Sequence, residues 1–168
     1  YTATEATGDG YQQLTATGGT VTVGSDGIDD YSTFVFTNAR TQGVTVKKVW
    51  VDDQTSHDGI SVTVYNSADP DNTIYQKTVT LSGNGSEWSQ DVNVPKYTAD
   101  GSVITYSAYE TINGTKYYNN SEVKINGVTY TVSVNGTTIT NTINQDYTNL
   151  TVNKTWNIGG IQDAKATF

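Results

Sequence analysis

Three residue types with complementary chemistry recur at matching places along this chain. The stretches "VTVKKVW" at 44–50 and "LTVNKTW" at 150–156 put Lys48 and Lys154 at an offset of 106 residues. "YTATE" at 1–5 and "YSAYE" at 106–110 put Glu5 and Glu110 at an offset of 105. "FVFTN" at 34–38 and "TTITN" at 137–141 put Asn38 and Asn141 at an offset of 103. A desolvated lysine amine is a nucleophile. A carboxamide is an electrophile, and a protonated carboxyl can polarise its carbonyl and pass protons to departing ammonia. Brought together, the three side chains could exchange an amine and a carboxamide for a new amide bond.

The elements that must position them are strands. Successive residues of a strand point to opposite faces. In the first stretch Val44, Val46, Lys48 and Trp50 share the more apolar face, and Thr45, Lys47, Val49 and Val51 share the other. Taken alone, that strand allows Lys48 to lift its amine to water along an apolar stem. The repeat weighs against this, because it keeps the second lysine while Asn153 replaces Lys47. Leu150, Val152, Lys154 and Trp156 again share a face, as do Tyr106, Ala108 and Glu110, and Ile139, Asn141 and Ile143. Tyr1, Ala3 and Glu5, and Phe34, Phe36 and Asn38, follow the same pattern. Polar side chains on core faces need partners, and the economical solution is that they meet one another.

Burial lowers a lysine pKa and raises a glutamate pKa by as much as ~3–5 units when complete. A neutral amine beside a protonated carboxyl is then expected near neutral pH. Well-oriented intramolecular reactions reach effective molarities of ~10⁵–10⁸ M, so no cofactor is needed. The reaction turns over once, so the protein is not an enzyme in the usual sense. An uncrosslinked, hydrogen-bonded Lys–Glu–Asn cluster is the alternative, since desolvation alone does not secure attack geometry.

Composition bounds the rest. The net charge of −8 argues against nucleic acid or anionic membrane partners. No apolar run approaches the ~20 residues of a membrane helix, so no membrane insertion is expected in this segment. The chain has no cysteine and therefore no disulfide. It also lacks methionine and opens on "YTATE", which reads as a piece of something longer. Gly, Thr, Asn, Val and Tyr are abundant without a long helical period, which predicts an all-β chain with tight turns. "INGV" at 125–128 and "VNGT" at 134–137 predict hairpins. Seven or so short strands in about a hundred residues fit a β-sandwich.

The stretches "VTVKKVWVDD", "VPKYTADGSVITYSAYE" and "TTITNTI" resemble the B-type repeat domains of Gram-positive surface proteins, the Cna B-type family of collagen adhesins and pilins. The resemblance implies an immunoglobulin-like β-sandwich in tandem modules. Residues 1–40 would end a preceding module, 41–145 would form a complete one, and 146–168 would begin a third. It implies a spontaneous Lys48–Asn141 amide assisted by Glu110. Glu5 and Asn38 would serve the module before, and Lys154 the module after. It further implies a structural stalk or fibre at the bacterial cell surface, either a single-chain stalk or a pilus shaft. Its partners would be neighbouring modules of the same protein, including head-to-tail copies. The alternative is an adhesive module that binds a host ligand.

Other motifs are blander. The acidic loop with Asp52, Asp53, His57 and Asp58 lacks EF-hand spacing, so no metal is expected and a solvated turn is. His57 has no Ser or Cys partner placed by a motif and reads as a surface residue. "DPDN" at 69–72 is a turn. "TKYYNN" at 115–120 fits either a binding face or a β-edge. Asn84, Asn113, Asn119, Asn135, Asn149 and Asn153 sit in Asn-x-Ser/Thr triplets that would stay bare in a bacterial surface protein.

Overall fold

The computed structural model describes residues 3–17 and 34–144. Alternating β-branched and aromatic residues, cut by Asn-Gly and other polar turns, give ten strands among the described residues. They are β1 (Tyr11–Thr17), β2 (Val35–Val51), β3 (Ile60–Asn66), β4 (Lys77–Leu81) and β5 (Glu87–Pro95). Then follow β6 (Tyr106–Ile112), β7 (Thr115–Tyr117), β8 (Glu122–Ile125), β9 (Val128–Asn135) and β10 (Thr138–Ile143). A 3-10 turn at Thr73–Tyr75, capped by the Asn72 side chain, follows "DPDN".

The strands make two sheets. One runs β1-β2-β10-β9-β8, with β5 also pairing β2, and the other runs β4-β3-β6-β7. Their inner faces share one apolar core, to which β2 and β10 contribute Val46, Trp50 and Ile139, β9 contributes Tyr130 and Val132, and β3 and β6 contribute Val62, Val64 and Ala108. The architecture is therefore all-β with two sheets, compatible with a β-sandwich. The hairpin turns carry left-handed backbone where the sequence offers Asn and Gly. Asn126 and Gly127 have φ of 49° and 87°, the pair of positive values that a two-residue type I′ hairpin requires.

Two features matter for the site. First, β2 and β10 pair in parallel, with Lys48 opposite Ile139 and Trp50 opposite Asn141. The first and last strands of the 41–144 region are thus neighbours. Second, β2 is a single strand of 17 residues. It passes without a break through the module boundary expected at 40/41. Its early part pairs with β1, Tyr11 opposite Arg40 through Thr17 opposite Val35. Its later part pairs with β5, from Thr41 opposite Pro95 to Val49 opposite Glu87.

Trp88 on β5 sets the wall beside Trp50, the two rings meeting edge to face at 5.9 Å. Gly83 makes this possible, since a Cβ there would lie 2.8 Å from Trp88 Cδ1. Gly83→Ala must displace a buried indole, and overpacking of this kind costs ~1–3 kcal/mol. The expected result is a lower denaturant midpoint with an unchanged m-value.

Candidate functional site

Parity on β2 divides its two lysines. Lys48 is fully buried between Val46 and Trp50, which are buried as well. Lys47 points outward at 38% side-chain exposure and pairs with Glu87 at 2.7 Å. On β6 the inward residues are Tyr106, Ala108 and Glu110, and on β10 they are Ile139 and Asn141. Lys48, Glu110 and Asn141 all have 0% exposure.

The fold brings these three together from two sheets. Lys48 and Asn141 project from adjacent parallel strands, two residues apart in register. Glu110 projects from the facing sheet, where it lies opposite Val62 on β3 and Tyr117 on β7. Lys48 Nζ donates to Glu110 Oε2 at 2.7 Å. Asn141 Nδ2 donates to Glu110 Oε1 at 2.9 Å. One carboxyl group therefore bridges the amine and the amide. The Trp50 ring covers the amine, its centroid 4.4 Å from Nζ.

The electrostatics of the cluster are costly as an ion pair. Two full charges removed from water lose several kcal/mol of hydration each, and attraction repays this only when every remaining donor and acceptor is satisfied. Here they are not. A lysine ammonium has three N–H donors, and its one hydrogen bond is to Glu110. Asn141 Oδ1 is buried without any donor. Burial accordingly pushes the Lys48 pKa from 10.5 down to about 8, against the opposing pull of the Glu110 carboxylate.

The remaining predicted residues fall as follows. Glu5 and Asn38 are brought together, with Asn38 Nδ2 donating to Glu5 Oε1 at 2.8 Å on an exposed surface. Lys154 lies outside the described residues. Among the described residues no three His, Cys, Asp or Glu side chains converge as metal ligands.

His57 corrects the sequence reading. It was expected at the surface, yet its side chain is 6% exposed. It stacks on Trp50 with ring centroids 4.1 Å apart and planes 6° from parallel. Its Nε2 lies 3.4 Å from Asp52 Oδ1. The loop folds back on the outer end of the core because a flat indole face is available there, which a motif scan for catalytic partners does not register. Tyr130 also packs edge-on against Trp50 at 5.6 Å. Burial first, then the Asp52 carboxylate, pushes its hydroxyl up to about 12. This group braces Trp50, the residue that roofs Lys48.

"TKYYNN" supplies the edge strand β7 and then Tyr118, which is 42% exposed. Tyr118 packs against Tyr109 at 5.2 Å and Tyr65 at 6.3 Å.

Compared with known proteins, the chain matches no family model, no curated protein and no solved structure.

The site has a defined pH signature. Asn141→Ala keeps the Lys48–Glu110 contact but removes the electrophile. In that variant the unfolded chain, with its lysine near 10.5, holds more protons than the folded chain, with its lysine near 8. Stability must then rise with pH across that interval. Denaturant unfolding of Asn141→Ala from pH 8 to pH 10.5 should show the rise, and adding Lys48→Met should remove it.

Proposed function

We propose that this protein is a structural module that locks its own first and last strands with a Lys48–Asn141 isopeptide bond assisted by Glu110. The observation that carries the reading is the buried cluster and its unfinished hydrogen bonding. With Lys48 and Asn141 separate, either Oδ1 or, after the amide turns over, Nδ2 stays orphaned, at a cost of ~1–3 kcal/mol. With the amide formed, the count closes. The single Nζ–H donates to Glu110 Oε2, and protonated Oε1 donates to the one remaining carbonyl oxygen.

The steps balance without a cofactor. Lys48 passes a proton to Glu110 Oε2. The neutral Nζ attacks Asn141 Cγ while the Glu110 acid hydrogen-bonds Oδ1 and steadies the developing oxyanion. A proton moves from Nζ through Glu110 to Nδ2. The Nζ–Cγ bond is then complete, the Cγ–Nδ2 bond breaks, and ammonia leaves. Glu110 ends protonated, keeping the proton it first took from Lys48 and having relayed a second one to the leaving ammonia.

The parallel pairing of β2 and β10 gives the bond a mechanical purpose. Tension entering at the start of β2 and leaving at the end of β10 would pass through the crosslink and spare the strands between. This suits a stalk or fibre of immunoglobulin-like B-type modules strung end to end on the outside of a bacterial cell. Residues 1–40 and 146–168 would then belong to neighbouring modules. A second reading, adhesion, draws on the cluster of Tyr65, Tyr109 and Tyr118, of which Tyr118 is exposed. On that reading Tyr118→Ala would weaken ligand attachment and leave the crosslink untouched.

The intact protein should weigh less than its sequence by one ammonia. Glu110→Ala should stay folded at the full sequence mass, and Lys47→Ala should still lose ammonia. A full sequence mass for the folded wild type would refute the reading. Closing roughly 100 residues of chain is worth ~4.7 kcal/mol in the chain-entropy model. Lys48→Ala should therefore lose at least that much stability. Lys47→Ala should lose only the ~0–1 kcal/mol of an exposed ion pair.

A further inference from the structure

The chain contains Asn-Gly pairs at 84–85, 113–114, 126–127 and 135–136, and all lie among the described residues. An asparagine followed by glycine carries a latent intramolecular reaction. Glycine has no Cβ to crowd its backbone nitrogen, so that nitrogen can approach the asparagine Cγ and close a five-membered imide. The Asn-Gly peptide must first turn until its nitrogen faces Cγ. Attack geometry of this kind governs intramolecular rates, so the freedom of that peptide should rank the sites.

Space does not separate them. A Cβ at Gly85, Gly114, Gly127 or Gly136 would meet nothing within 4 Å, so each stands in open space. The backbone does separate them. Asn113-Gly114 and Asn126-Gly127 are the central residues of hairpins closed by Ile112 opposite Thr115 and by Ile125 opposite Val128. Both asparagines sit in left-handed backbone, with φ of 50° and 49°, and turning the central peptide would undo the turn. Asn126 Nδ2 also donates to Asp58 Oδ2 at 3.1 Å. Asn135 is a ladder residue of β9, opposite Thr138 at the mouth of its hairpin. Turning its peptide would disturb that closing pair.

Asn84-Gly85 lies instead between β4, which ends at Leu81, and β5, which begins at Glu87. The loop is anchored on each side of the pair. Gly83 lies against the Trp88 indole, and Ser86 O accepts from Trp50 N at 2.8 Å. Between these anchors Asn84 and Gly85 are exposed. Among the described residues, no strand pairs with them, and no hydrogen bond holds the Asn84 side chain or the Gly85 N–H.

We propose that Asn84 is a site of spontaneous modification, where the Gly85 nitrogen displaces ammonia and water then leaves an aspartyl or isoaspartyl residue. Hydroxide takes the Gly85 N–H proton, and the nitrogen bonds to Asn84 Cγ. The Cγ–Nδ2 bond breaks, and Nδ2 leaves as ammonia with a proton from water. Water then opens the imide. Addition at Cγ gives aspartate on the original backbone. Addition at the Asn84 carbonyl carbon routes the backbone through Cβ and Cγ and gives isoaspartate. One water is consumed and one ammonia released. Either product adds a carboxylate and takes the chain one unit beyond its net charge of −8. The anchors at Gly83 and Ser86 confine the change to the loop. The reaction uses neither Lys48 nor Asn141, so it is independent of the proposed crosslink.

The test ages the 168-residue chain in mildly alkaline buffer, natively and in denaturant, and maps its peptides by tandem mass spectrometry. Replacement of an amide by a carboxylic acid marks each site, and isoaspartate marks the imide route. Misplaced attack geometry costs up to ~10²-fold, so in the native chain Asn84 should convert ~10-fold or more faster than Asn113, Asn126 or Asn135. In denaturant the four rates should draw together. Asn84→Gln should remove the acidic species seen on ion exchange, because its amide lies one methylene too far for a five-membered ring. Equal native rates at the four sites, or faster conversion at any of the other three, would overturn the proposal. So would a native Asn84 that stays intact while denaturant converts it, or an acidic species undiminished in Asn84→Gln.

Discussion

A single carboxyl group, Glu110, holds the structure's most demanding interaction. It reaches across the core from one sheet and takes hydrogen bonds from two strands of the other, through Lys48 at 2.7 Å and Asn141 at 2.9 Å. Everything around it follows from the need to make that tolerable. The parallel placement of β2 beside β10 brings amine and amide to one spot. Val46, Trp50, Val132 and Ile139 keep water out. Trp50 closes the amine from one side, and Trp88, His57 and Tyr130 hold Trp50 in turn.

Such a cluster is an awkward way to stabilise a core. Well-packed apolar residues of similar volume would often do as well or better than a buried ion pair. The geometry becomes reasonable if the polar groups are reactants. Burial that penalises the charged lysine also favours the free amine, and the carboxyl beside it can polarise the amide. The destabilising feature and the reactive feature are then the same, and the product relieves the cost by leaving one N–H and one carbonyl oxygen, each with a partner on Glu110.

Much of this was legible in the sequence at the level of faces. Alternation in "VTVKKVW" separates Lys48 from Lys47, and alternation in "YSAYE" and "TTITN" turns Glu110 and Asn141 inward. Periodicity reports only which side a residue takes, because that is a local property of the chain. It says nothing about which strands pair, so neither the parallel β2–β10 contact nor the continuous 35–51 strand could be read from it. Asn38 shows the same limit. It has the parity of its counterpart but lies at the surface, because the described strands cover only one flank of its edge. His57 was misplaced for a related reason: its burial depends on a loop returning to a Trp face that is assembled only in three dimensions.

The proposed Lys48–Asn141 amide is a covalent bond between two atoms, and diffraction at atomic resolution tests it most directly. The expected result is continuous density from Lys48 Nζ to Asn141 Cγ at the ~1.33 Å length of an amide, with planar geometry and both Glu110 oxygens in hydrogen-bond contact. Separate density for Nζ and an intact Asn141 carboxamide at non-bonded distance would contradict it.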